Sequence, residues 1–122
     1  NKDKFIYLGA KTGYLLDSTK QISIKSFAFA YGDETRAKII DFVAQNQPVC
    51  MSDLIKNLDI KHSTLYHHVN ILVDEGILTV CKSVNKKFYY RINVEYYKKI
   101  KQLFESKLNN YLKLNIKGDV SK

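Results

Sequence analysis

This chain of 122 residues contains two cysteines, three histidines and one proline. Two cysteines are too few for the disulfide framework that staples small secreted domains. Uninterrupted apolar runs are only a few residues long, well short of the roughly 20 residues that span a membrane as a helix. No signal-peptide pattern opens the sequence. Together these features point to a reducing cytoplasm. The histidines all fall within residues 62–68, no two of them four apart, and none lies from Val94 onward, which argues against a metal site. No glycine-rich phosphate loop is present, and no histidine is set beside a nucleophile and a carboxylate. Neither an enzyme nor a cofactor is therefore expected. The first residue is Asn1 rather than methionine, so the expectation is a fragment or a processed form of a longer chain.

What is present describes one soluble globular domain. Hydrophobic residues make up 45% and charged residues 26% of the chain, a balance that supports a packed core. The net charge is +8 and the isoelectric point is near 9.4. That charge is unevenly placed. Residues 77–93 carry Lys82, Lys86, Lys87 and Arg91 with no acid, and the lysine-rich residues 94–122 are also strongly positive. Residues 53–76 hold more acids than bases. A basic excess of this kind suits a phosphate backbone, although lysines at the chain end also serve solubility.

Residues 61–72, Lys-His-Ser-Thr-Leu-Tyr-His-His-Val-Asn-Ile-Leu, form the most informative stretch. Leu65, Val69 and Leu72 recur at helical spacing and must be buried. His62, Ser63, Tyr66, His67 and Asn70 lie off that stripe and can hydrogen-bond to base edges; Thr64 joins them as a nearby contact. His68, next to the buried stripe, is expected to be structural with its ring hydrogen-bonded. A short helix over residues 53–58 precedes this one across Asp59-Ile60-Lys61, and Gly76 follows where a left-handed cap is needed. Two helices joined by a turn of about three residues make a helix-turn-helix, whose second helix enters the major groove.

The remaining segments read as support. Residues 1–20 hold the short apolar runs Phe5-Ile6-Tyr7-Leu8 and Tyr14-Leu15-Leu16, assignable to neither strand nor helix. Residues 22–31 favour a helix, with Ile24, Phe27, Ala28 and Tyr31 on one face. Asp33 is the natural cap of a clearer helix whose inner face carries Ala37, Ile39, Ile40, Val43 and Ala44, ending at Gln47-Pro48. Val49-Cys50-Met51 is extended, and Ser52 is expected to cap the next helix. Leu78-Thr79-Val80 and Phe88-Tyr89-Tyr90-Arg91-Ile92 read as strands of a hairpin around a Ser83–Lys87 loop, with Lys86, Lys87 and Arg91 its basic contacts. Residues 94–114 form a long amphipathic helix with Tyr97, Ile100, Phe104, Leu108 and Tyr111 on one stripe, widened by Leu103 and Leu112. Such a face either packs on its own core or serves a homodimer, the reading preferred here.

These residues carry a resemblance. Tyr31-Gly32-Asp33-Glu34-Thr35-Arg36-Ala37-Lys38-Ile39-Ile40 resembles the "LGDETRLKIL" opening of ArsR/SmtB-type winged-helix repressors. Ser63-Thr64-Leu65-Tyr66-His67-His68-Val69 is similar to their "STVSHHL", Leu72–Leu78 to "LxEAGLV", and Phe88–Ile92 to "xYYRL". The resemblance implies a mainly α winged helix-turn-helix with a small β-hairpin wing, acting as a dimeric repressor on double-stranded DNA. The division it suggests is an extension over residues 1–30, the winged domain over 31–93, and a dimerising helix with a polar tail over 94–122. Metal-sensing members carry Cys-Val-Cys-Asp-Leu where this chain has Cys50-Met51-Ser52-Asp53-Leu54, so one thiolate stands where two are needed. Cys50 and Cys81 read as small buried hydrophobes in preference to a redox pair. Two other functions fit the same residues: a winged helix binding a protein through tyrosine-rich surfaces, and the output part of a larger sensor with a ligand enclosed by Phe5–Tyr31.

Overall fold

The computed structural model describes residues 22–120, with side chains described to residue 115. The runs Phe5-Ile6-Tyr7-Leu8 and Tyr14-Leu15-Leu16, and most of the segment expected to enclose a ligand, lie outside the described residues. Among the described residues five helices and three strands follow in order: α1 (Ile24–Tyr31), α2 (Glu34–Asn46), β1 (Val49–Cys50), α3 (Met51–Asn57), α4 (His62–Asp74), β2 (Leu78–Val84), β3 (Lys87–Ile92) and α5 (Val94–Val120). The sheet runs β1-β3-β2, antiparallel throughout. This is a winged helix-turn-helix, mainly helical with a small hairpin wing.

Local chemistry sets the helix starts. Ser23 caps α1 by accepting from Ser26 N, and Asp33 caps α2 by accepting from Arg36 N at 3.1 Å. The expected cap at Ser52 is displaced. Cys50 occupies the N-cap of α3, and Asp53 Oδ2 reaches back to accept from Cys50 N at 3.0 Å, the returning half of a capping box. The hairpin strands extend further than their apolar residues indicated. Only Asn85 and Lys86, with φ +50 and +66, form the turn, the left-handed pair of a two-residue hairpin.

A single core joins all five helices to the sheet: Ala30, Ile39, Ile40, Val43, Val49, Leu54, Leu65, Val69, Leu72, Ile77, Leu78, Tyr96 and Ile100. Helix α1 contributes Ala30 to it, with Phe27 packed alongside, whereas Ala28 and Tyr31 face outward and Ala44 of α2 is exposed. The end of the expected extension thus packs on the winged domain. Phe27 reaches α5 edge-on, 6.0 Å from Tyr97 and 5.9 Å from Phe104 between ring centres.

The early half of α5 packs on its own chain. Ile100, expected at a dimer interface, is 4% exposed in this core, because the helix crosses the winged domain at Tyr96 and Ile100. Tyr97, Leu103 and Phe104 are half-buried beside them, while Leu108 and Tyr111 are exposed together with Leu112 and Leu114. The sequence pattern blended two faces into one stripe.

Candidate nucleic-acid interface

Helix α4 buries Leu65, Val69 and Leu72 fully and thereby aims its other side outward. His62, Ser63, Tyr66, His67 and Asn70 are all exposed, and Thr64 is half-buried at the edge of the set. Positions 62, 66 and 70, and 63 and 67, are four apart, so these side chains form one continuous ridge along the helix. Each can both donate and accept, the equipment for hydrogen bonds to base edges. Lys61 is the N-cap and supplies no side-chain acceptor, which leaves the first amides of α4 pointing outward beside a cation.

His68 belongs to a different environment. Its Nδ1 lies 3.1 Å from Arg36 Nη1, and its ring meets that of His67 edge-on at 5.2 Å. Burial pushes its proton affinity below that of an ordinary imidazole, with Arg36 and His67 adding to the effect and Asp33 opposing it. His67 therefore stands on the ridge, and His68 behind it.

The wing sorts its own residues by pairing. Lys87, Tyr89 and Arg91 alternate with Phe88, Tyr90 and Ile92, and of these Tyr90 and Ile92 pack against the core. A bulge between Val80 and Lys82 shifts the register, so that Lys82 opposes Tyr89 and lays its ammonium 4.9 Å over that ring. In a regular ladder Lys82 would oppose Phe88 on the inner side. The bulge instead gathers Lys82, Lys87 and Arg91 on one face, with Lys86 at the tip. Sequence reasoning missed Lys82 as a site residue, since nothing in the residue pattern marks the inserted position. Burial, with smaller contributions from Tyr66 and Cys50, pushes the Tyr90 phenol up to about 12, so it stays neutral where the wing meets α4.

The two thiols occupy contrasting places. Cys50 is buried, its Sγ 3.0 Å from Ser52 Oγ and 3.4 Å from Asp53 Oδ2. Cys81 is exposed on the bulge, where its thiol donates to Tyr89 O at 3.4 Å, against the expectation that it would pack as a small hydrophobe. Both are free. Among the described residues no three His, Cys, Asp or Glu side chains come together as a metal site, and no helix is long and apolar enough to cross a membrane.

An outward polar ridge on the second helix of a helix-turn-helix, flanked by a basic hairpin, defines a winged-helix regulator. The family model for bacterial regulatory proteins of the arsR family matches residues 33–80. A helix-turn-helix transcriptional regulator of Methanocaldococcus jannaschii is 36% identical over 64 residues, spanning 52% of this chain and 72% of that protein. An arsenical resistance operon repressor of Staphylococcus xylosus is 33% identical over 70 residues, spanning 57% of this chain and 65% of that one. Among solved structures, an ArsR-like transcriptional regulator from Rhodococcus sp. RHA1 superposes with a TM-score of 0.70 at 21% identity, covering 80% of this chain and 92% of its own. The chain belongs to the ArsR family and is a transcriptional regulator.

Proposed function

We propose that this regulator is a repressor that binds double-stranded DNA as a homodimer, reading base edges with α4 and holding phosphates with the wing. The observation that carries this reading is the exposed ridge His62, Ser63, Tyr66, His67 and Asn70 on a helix whose opposite side is buried. Thr64 sits at its margin, and Lys86, Lys87 and Arg91, joined by Lys82, supply the positive charge beside it. Base contacts specify and phosphate contacts position, so the two elements divide the labour. Repression is supported by the function named for the staphylococcal relative. Two-fold assembly is supported by Leu108 and Tyr111, both more than half exposed on the far part of α5, with Tyr97 and Phe104 half-buried nearer the core. Cys50 faces Ser52 rather than a second thiol, so the inducer is not expected to bind a paired-thiolate site at α3.

The test is selection of genomic duplex fragments by the purified protein, followed by titration of a selected and a random duplex at several salt concentrations. The reading predicts enrichment of a common sequence and affinity that falls steeply with salt. Salt-independent binding with no enriched sequence would leave the winged helix as a protein-binding module instead.

A further inference from the structure

Arg36 is 8% exposed, the only charged side chain buried among the described residues. A buried guanidinium is tolerated only where acceptors surround it. Here they are neutral ones. Nε donates to Ala30 O at 2.9 Å and Nη2 to Phe29 O at 3.1 Å, carbonyls in the last turn of α1, where the helix dipole welcomes a cation. Phe29 also covers the guanidinium, its ring centre 4.9 Å away. The third arm, Nη1, meets His68 Nδ1 at 3.1 Å on α4. One side chain of α2 therefore joins the end of α1 to the helix that carries the polar ridge.

The chemistry of that third arm is restrictive. A guanidinium only donates, so Nδ1 must offer its lone pair, and the proton of a neutral His68 must sit on Nε2. Protonating His68 would put a hydrogen on Nδ1 facing Nη1, turning a hydrogen bond into a contact between two cations. The charged and titratable groups that bear on the ring are Arg36 and Asp33 from the start of α2 and His67 from α4. Burial is the largest influence and opposes the charged form; only Asp33 favours it.

We propose that Arg36 is a positioning residue for the recognition helix: through His68 it fixes α4 against the end of α1, and protonation of His68 undoes the tie. The sign follows from linkage. His68 binds its proton less readily folded than unfolded, so the tie is complete above the unfolded imidazole value of about 6.5 and is lost as pH falls through the lower folded value. The effect on DNA rests on the function proposed above, whereas the tie itself does not. Because α1 also reaches α5 through Phe27, the same arginine connects the ridge to the face where a second copy would dock.

Long-range 1H–15N spectra of the whole chain test the tie directly. At about pH 7.5 the His68 ring should show an unprotonated Nδ1 and a protonated Nε2, and α4 amide signals should shift as His68 titrates. His68→Asn retains an acceptor close to the position of Nδ1 but cannot titrate, so its α4 signals should lose that pH response. Arg36→Lys should abolish the tautomer preference; if it fails to fold, His68→Asn still decides. On a selected duplex, the affinity of the wild type relative to His68→Asn should drop by up to about tenfold between about pH 7.5 and 5.5, one charge-assisted hydrogen bond's worth. Taking the ratio cancels the added attraction of protonated His62 and His67, present in both proteins. A protonated Nδ1 at neutral pH, α4 signals unchanged in Arg36→Lys, or a pH-independent ratio would overturn the proposal. Absence of any duplex binding would defeat the proposed function while leaving the spectra to judge the tie.

Discussion

Gly76 shows how much one backbone position contributes. It follows α4 at φ +88, and its amide and that of Ile77 close the helix by donating to Val73 O and Leu72 O. The next strand enters the core immediately at Ile77 and Leu78. A Cβ placed on Gly76 would approach the Tyr96 ring no closer than 3.5 Å, an ordinary contact. The cost of Gly76→Ala therefore comes from the left-handed backbone, about 1 kcal/mol, with no clash added. Urea denaturation should give that loss with an unchanged m-value, and a loss of several kcal/mol would mean that the Tyr96 contact is tighter than it looks. Lys86 is in the same region at φ +66 without being glycine, so the wing tip carries backbone strain at its exposed cation.

On the proposed function, the elements divide by what they contact. Replacing Lys86 and Lys87 by Ala should weaken selected and random duplexes about equally and lower the salt slope by about two per protomer, if each lysine releases about one counterion. Replacing Tyr66 and His67 by Ala should cost selected duplex on the order of 1–3 kcal/mol and leave random duplex nearly unchanged. Titrations in which the helix pair altered only the salt slope would reverse these roles. The ridge and the wing were legible in the sequence because α4 alternates buried and polar positions at helical spacing and β3 alternates at strand spacing. Three features were not. The bulge that turns Lys82 outward leaves no compositional trace, since one extra residue looks like its neighbours. Arg36 is not among the apolar residues that mark the inner face of α2, and the carbonyls at the end of α1 make it a buried residue. The face of α5 was read as one stripe starting at Tyr97, whereas Tyr96 and Ile100 are buried in the core and Tyr97 only packs beside them.

At the scale of the whole molecule, α5 has two parts. Its first turns complete the core, and its later ones present Leu108, Tyr111, Leu112 and Leu114 to solvent. Light scattering should therefore separate two classes of substitution. Leu108→Asp with Tyr111→Asp should give a folded monomer with weakened duplex binding, whereas Ile100→Asp should unfold the chain by burying a charge. A wild type that stays monomeric at high micromolar concentration would refute the dimer. The reach of α5 beyond Phe104 has a further result. Residues 105–120 extend for about 24 Å at 1.5 Å per residue, and the side chains of residues 105–115 are all exposed. Most helical stability in proteins comes from tertiary packing of an apolar face, which this end of α5 lacks among the described residues of its own chain. Its winding should then depend on a companion surface, and the far-ultraviolet circular dichroism per residue should deepen as the protein is concentrated.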